Sequence, residues 1–415
     1  MVYTLSGIST SLRLRRARML LTATKDAIES ADSDRLSHAL HHGRRNLGGL
    51  TAAKLFSDMA IGRIEGSLTH TEASNGLIEQ ATRLQNSRLD PIGWFVWENL
   101  SRAIGCFSAS EAFGRHGRER ILQSRPRNDR QRTQVFLAHL YSRDLDGAIQ
   151  TWHTRTPASH TGSFWTDAGH LLWLLTGGTS GLVDRASASP WHDTLAGSTV
   201  LALGPAPTSV DAAVYTDALI ARVATPGVTG WPADDVLGGR VDLTYANSDS
   251  AKWFVAHDER TLFDSVTFAS FRTSVWTSLD LSNGRTAYNH KALLPMPFDK
   301  TNMIPLIVWD VSHVPDVNIH VAGTTFFASP TAYTAQDVRL KEDRGGHTDQ
   351  RGSTGIRFER CLSFSSHQLS AHHTLMALLS EAGVIQFDSE GAEVIKMPTA
   401  HYLASLDELY GVDAV

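Results

Sequence analysis

Cysteine is nearly absent from this chain. Only Cys106 and Cys361 occur in 415 residues, far apart in sequence. That excludes a disulfide framework and a cysteine-rich zinc module, and it fits a reducing cytoplasm. No apolar run reaches transmembrane length. Met19-Leu20-Leu21, which follows Arg13, Arg15, Arg16 and Arg18, is too short to be the apolar region of a signal peptide. An excess of positive charge is also missing. The formal net charge is −5, which argues against a general nucleic-acid binder. Neither a Gly-x-Ser-x-Gly elbow nor a P-loop is found, which disfavours a serine hydrolase and an NTPase. The second half has no Asp-x-Asp, by which many sugar transferases hold a divalent ion; Asp32-Ser33-Asp34 and Asp144-Leu145-Asp146 lie in the first half.

What is present reads as an ordinary soluble globular protein, with 42% hydrophobic and 20% charged residues. The length allows two or three domains. The arginines near the N-terminus form either a solvated helix face or a contact with an anionic membrane. Residues up to about 180 predict helices joined by short turns. Candidate helices cover Ala17 to Ala31, Asp32 to Leu47 with a stop at Gly48-Gly49, Thr51 to Leu68 and Glu72 to Leu84. Asp90-Pro91 starts another, carrying Trp94, Trp97, Leu100 and Ile104 on one apolar face up to Phe107. Asn128 with Gln131 opens the next, and Leu145 to Trp152 follows. Paired helices of this length suggest a tetratricopeptide-like array, although no repeat consensus is clean. The aromatic stripe reads as core.

Gly177 to Gly181 marks a change in composition, so the expected domains are 1–185 and 186–415. Beyond it, strands and helices alternate. Strands are expected at Thr199 to Leu203, Ala218 to Val223, Val241 to Tyr245, Ser265 to Phe268, Ile304 to Trp309, Val317 to Val321 and Val394-Ile395. A helix is expected from Leu369 to Ala382. The pattern predicts an α/β fold, a doubly wound sheet covered by helices on both faces. Ligands bind such sheets at the carboxyl ends of the strands.

The second half is organised around Val200 to Ser209. A short apolar run meets Gly204-Pro205-Ala206-Pro207 and then Thr208-Ser209. A strand, a glycine turn and a helix start together make a common nucleotide-phosphate site, because a glycine backbone lets a ligand approach. Arg222 ends an inner strand and needs a phosphate or carboxylate partner. Tyr245 and Asn247 are placed to hydrogen-bond phosphate or base, or else are surface loop residues. Gly323 ends a later strand. Ser353 and Thr354 form a small polar turn suited to a donor carboxylate, and equally a plain Gly-Ser turn. His367 lies just before a helix and suits a general base, or serves as a helix cap. His367, His372 and His373, with His347 upstream, raise a zinc reading. His367 and His372 are five apart, however, not the three or four that put ligands on one helical face.

Four pieces resemble the sialyltransferase family of vertebrates and its bacterial relatives. Leu201-Ala202-Leu203-Gly204-Pro205 with Asp217 to Val223 is similar to the long motif. Ile319 to Phe327 resembles the end of the short motif. His367 to His372, followed by Leu375 to Ile385, resembles the very short motif and the helix after it. Gly352-Ser353-Thr354-Gly355 resembles a Ser/Thr-Gly turn near the donor, although it falls after the Gly-aromatic strand rather than before it. The likeness covers residues from about 195 to 400. There are departures: the cysteines fall outside both long and short motifs, His372 stands where the family has glutamate, and no asparagine follows Gly204. The family's His-Tyr pair does not precede the very short motif; His401-Tyr402 comes later.

The resemblance implies a Rossmann-like, GT-A-variant sheet preceded by the helical domain. It implies transfer of a 3-deoxy-2-ulosonic acid (sialic acid, Kdo or Kdn) from its CMP ester to a glycan hydroxyl, without metal or other cofactor. In that reading His367 is the base and His372 assists. Gly204, Pro205, Arg222, Tyr245, Asn247, Gly323, Ser353 and Thr354 bind the donor. The partners are then a nucleotide-sugar donor and a glycan acceptor, with no nucleic acid, and the expected place is the cytoplasm, at the membrane face. Two other readings stand: a helical scaffold whose α/β half binds a nucleotide or glycan without catalysis, and a pyrophosphokinase-like enzyme with a similar Gly-Pro turn.

Overall fold

The computed structural model describes residues 5–87, 89–155, 162–178, 192–206, 208–224, 239–257, 263, 266–271, 286–289, 302–328 and 368–410. Helix starts in the first half are set by short polar side chains. After α1 (Leu5–Glu29), Asp32 caps α2 (Ser33–Gly43) by accepting from the Arg35 amide at 2.8 Å. Gly48, left-handed at φ 90°, ends a 3₁₀ turn before α3 (Leu50–Glu65). Thr69 and Glu72 form a reciprocal capping box on α4 (His70–Leu84). Asp90 caps α5 (Pro91–Ala103), which begins on proline. That helix stops at Ala103, short of the expected Phe107, because Gly105 turns left-handed at φ 79°. A new helix, α6 (Phe107–Leu122), follows. Asn128 caps α7 (Asp129–Tyr141), then come α8 (Leu145–His153) and α9 (Gly162–Leu175).

Successive helices pack together, α1 on α2, α5 on α6 and α7 on α8. The aromatic stripe of α5 is core: Trp94 and Trp97 are fully buried. Trp97 stacks on Phe113 with ring centroids 4.9 Å apart and meets Phe56 edge-on. No helix among the described residues is long and apolar enough to cross a membrane.

After α10 (His192–Leu195) the described residues build a seven-stranded sheet in the order β5-β4-β3-β2-β1-β6-β7. The strands are β1 (Thr199–Leu203), β2 (Leu219–Val223), β3 (Leu243–Ala246), β4 (Phe268–Phe271), β5 (Thr286–Asn289), β6 (Asn318–Ala322) and β7 (Ile385–Phe387). Every neighbouring pair is parallel. This is a doubly wound α/β sheet after a helical region, as the alternation predicts. β1 is central. Strand order runs outward through β2 to β5 on one side and through β6 and β7 on the other, so it reverses between β1 and β6.

Three expected strands differ. Ile304 to Trp309 is helical, inside α12 (Met303–Val311), which follows α11 (Ser248–Ala256). Asn302 accepts from the Met303 amide at 2.6 Å, and every residue of α12 is buried. An apolar run buried on all sides has no periodicity to distinguish helix from strand. Val394-Ile395 lies in α14 (Ser389–Lys396), capped by Asp388, and the edge strand is Ile385–Phe387 instead. β4 starts at Phe268, where the expected strand ends.

The helices and the sheet share a core. One buried cluster joins Phe107, Phe136 and Trp165 of the helices to Val200, Leu243 and Val321 of the sheet. It continues into α13 (Leu369–Glu381) and α15 (Thr399–Tyr410) through Leu375 and Leu406. Asp407 of α15 reaches back and accepts from the Phe107 and Ser108 amides at 2.7 and 2.9 Å, capping α6 from the other end of the chain.

Candidate functional site

In a doubly wound parallel sheet the loops diverge at the carboxyl ends of the two strands where order reverses. Here those are β1, continued by Gly204-Pro205-Ala206, and β6, continued by Gly323 to Phe327. The Gly204 amide donates to the Ala322 carbonyl at 2.8 Å, and the Ala206 amide donates to the Gly323 carbonyl at 2.9 Å. A Cβ on Gly204 would overlap the Gly323 carbonyl, and one on Gly323, at φ 62°, would come within 2.7 Å of the Gly204 carbonyl oxygen. Gly323 itself makes a close approach that requires a glycine at position 204. Pro205 is half-buried in the same turn.

The mouth of this crevice holds a carboxylate. Asp388, which follows β7, accepts from the Gly323 amide at 2.9 Å, the Thr208 hydroxyl at 2.7 Å and the Gly391 amide at 2.8 Å. Thr208 and Ser209 therefore do not cap a helix of their own; Ser209 donates to Glu390 at 2.6 Å. Hydrogen bonds from Ser209 and Ser389 hold the Glu390 carboxyl below its ordinary pKa.

The other expected donor residues scatter. Arg222 is nearly buried, in register with Leu203 of β1 and Thr244 of β3, and its Nε donates to the Arg240 carbonyl at 2.9 Å. It lies near the carboxyl end of its strand, as expected, but with a backbone carbonyl among its partners. Tyr245 does not reach the rim. It is 0% exposed, and its hydroxyl donates to Asp310 of α12 at 2.9 Å in the core. Strand alternation turns it to the face opposite Arg222. Asn247 accepts from the Ser250 amide at 2.8 Å and caps α11. His372 is buried, 1% exposed, one turn beyond Gln368, whose side-chain amide donates to Glu98 of α5 at 3.3 Å. His373, weighed for zinc, has both ring nitrogens within 3.2 Å of Val394 and Thr399 oxygens. His367, Ser353, Thr354 and His347 lie outside the described residues.

Further residues shape this edge. Phe326 and Phe327 are both left-handed, at φ 49° and 70°, a conformation that costs a bulky side chain. The Tyr402 hydroxyl donates to the Phe326 carbonyl at 2.6 Å and holds the turn from α15. Lower on β6, Nδ1 of His320 lies 3.0 Å from the Tyr215 hydroxyl. Burial lowers the His320 pKa, while burial and the Asp388 charge raise that of Tyr215. The cap signature of Asp388 before Ser389-Glu390 was readable, but nothing local pointed it at Gly323.

α13 leads into β7, and in a parallel crossover the helix runs antiparallel to the strands. Its N-terminus at Leu369 therefore lies at the carboxyl edge of the sheet, the edge that holds Gly204 and Gly323. Among the described residues, no three His, Cys, Asp or Glu side chains are grouped to hold a metal ion.

No protein-family model matches the chain, and no curated protein sequence does. Among solved structures, a mutant of the O-GlcNAc transferase of Thermobaculum terrenum aligns at 11% identity over 99% of this chain and 98% of that one, with a TM-score of 0.21.

Proposed function

We propose that the chain is a glycosyltransferase with its donor site at the carboxyl edge of the sheet, and that the donor is a CMP ester of a 3-deoxy-2-ulosonic acid such as sialic acid, Kdo or Kdn. The observation that carries the reading is the turn beyond β6. Phe326 and Phe327 are consecutive left-handed residues next to the strand-order reversal. Such backbone costs about 1–3 kcal/mol per residue and persists where ligands are clamped. The donor and its linkage chemistry come from the sequence resemblance alone.

In this reading Arg222 supplies positive charge to the donor phosphate or carboxylate, with Asn247 and the start of α11 beside it. Asp388 already accepts the Gly323 amide, so the donor anion sits toward β2 and β3 rather than on that amide. His367, just before α13, takes the proton of the acceptor hydroxyl. The acceptor oxygen bonds to C2 of the ulosonic acid, the C2–O bond to phosphate breaks, and CMP leaves with the electron pair. No metal is required for these steps. The enzyme works in the cytoplasm, at the membrane face.

A second reading is favoured by Asp388 itself. A switch point closed by the protein's own carboxylate fits a helical scaffold whose α/β half binds without turning over. Incubation with CMP-sialic acid and CMP-Kdo, with and without glycan acceptors, separates the two. Release of CMP with a new glycosidic bond supports the transferase. CMP binding with no hydrolysis or transfer leaves the scaffold.

A further inference from the structure

The first 25 residues contain Arg13, Arg15, Arg16, Arg18 and Lys25 and no carboxylate, in a chain whose formal net charge is −5. These five basic residues lie on α1, a helix of 25 residues. Its inner face is set by Ala17, Leu20, Leu21, Thr24, Ala27 and Ile28, all buried. The outer face differs from an ordinary solvated one. Leu12 is 46% exposed and Met19 is 63% exposed. At about 100° per residue, Leu12, Arg15, Arg16 and Met19 fall within an arc of about 100° pointing away from the core. Arg18 and Arg13 each lie about 60° outside that arc, on opposite sides, and Arg13 is bonded to Asp90. Among the described residues no carboxylate pairs with Arg15, Arg16 or Arg18.

We infer that this face of α1 is a landing surface for an anionic lipid bilayer. Two large apolar side chains one above the other, flanked by arginines, match the interface between acyl chains and headgroups. Arginine stems reach up from beside the apolar pair and leave their guanidinium groups among lipid phosphates. A nucleic acid would use the arginines but would leave Leu12 and Met19 in water. The inference does not depend on the glycosyltransferase reading, since it uses no residue of the sheet.

Co-sedimentation of the full chain with vesicles of phosphatidylcholine plus phosphatidylglycerol, against phosphatidylcholine alone, tests it. Binding is expected to the anionic vesicles only and to weaken with salt. The triple change Arg15→Glu, Arg16→Glu, Arg18→Glu should reduce the partition by on the order of a hundred-fold, from the attraction each basic residue contributes near such a surface. Leu12→Ser with Met19→Ser should also reduce it while leaving the arginines in place. All five side chains are exposed, so both variants should keep the wild-type thermal midpoint, which is measured alongside. Equal binding to neutral vesicles, binding indifferent to the arginines, or retention of duplex nucleic acid with no vesicle binding would overturn the inference.

Discussion

The Gly323 amide donates to the Asp388 carboxylate at 2.9 Å, where strand order in the sheet reverses. In a doubly wound fold that amide is a natural anchor for a ligand anion. Here the anion belongs to the chain itself. The same carboxylate takes the Thr208 hydroxyl and caps α14, so it ties the β1, β6 and β7 turns into one unit.

The first prediction concerns Gly204. A Cβ there overlaps the Gly323 carbonyl and crowds Thr324 Cβ, neither of which is the far end of a flexible side chain. Gly204→Ala should lower unfolding stability by about 3 kcal/mol or more, at the upper end of overpacking costs. The urea midpoint reads it. A variant of normal midpoint that has lost nucleotide binding would return Gly204 to the ligand site.

Tyr245 makes the opposite case. Its hydroxyl meets Asp310 in a buried pair. Tyr245→Phe leaves that carboxylate short of a donor and should cost about 1–3 kcal/mol of stability. Nucleotide affinity, measured by calorimetry, should not change. A large loss of affinity at normal stability would put Tyr245 back at the rim.

Acid should weaken the fold through His373. Its ring stacks on Tyr402 at 4.4 Å, its Nε2 lies 3.0 Å from the Val394 carbonyl, and Arg143, itself paired with Glu381, is close enough to act on it. Burial first, and the Arg143 charge after it, lower its pKa from the ordinary 6.5. The folded state therefore binds fewer protons than the unfolded one. Stability is fully present above pH 6.5 and is lost as pH falls from there toward the lower folded value. Thermal midpoints should drop below that pH in the wild type, and less steeply in His373→Gln. An identical slope in both proteins would assign the loss to another group, with His320 next, since burial lowers its pKa too.

The sequence made the sheet and the helix caps legible because those signals are local. Asp90-Pro91, Asn128 and the β1 run need only their neighbours to be read. α12 was misread because Ile304 to Trp309 is buried on every side, and burial hides period. The continuity of the core across residue 185 was not readable either, since Asp407 acts on Phe107 from 300 positions away. At the site, the Gly204 turn is legible but its neighbours are not. Only the fold brings Gly323 against it and Asp388 over it. Tyr245 was displaced for a simpler reason: a one-residue step along a strand changes the face.

The central claim is that a cytidine nucleotide binds this sheet, and thermal shift against CMP, CDP, UDP, GDP and ATP tests it most directly. A ligand that binds only the folded state stabilises it by about 2.7 kcal/mol at about one hundred times its Kd. The account predicts a rise in midpoint with CMP that grows with concentration, smaller with CDP and absent with UDP, GDP and ATP. A rise with UDP, GDP or ATP and none with CMP would contradict it.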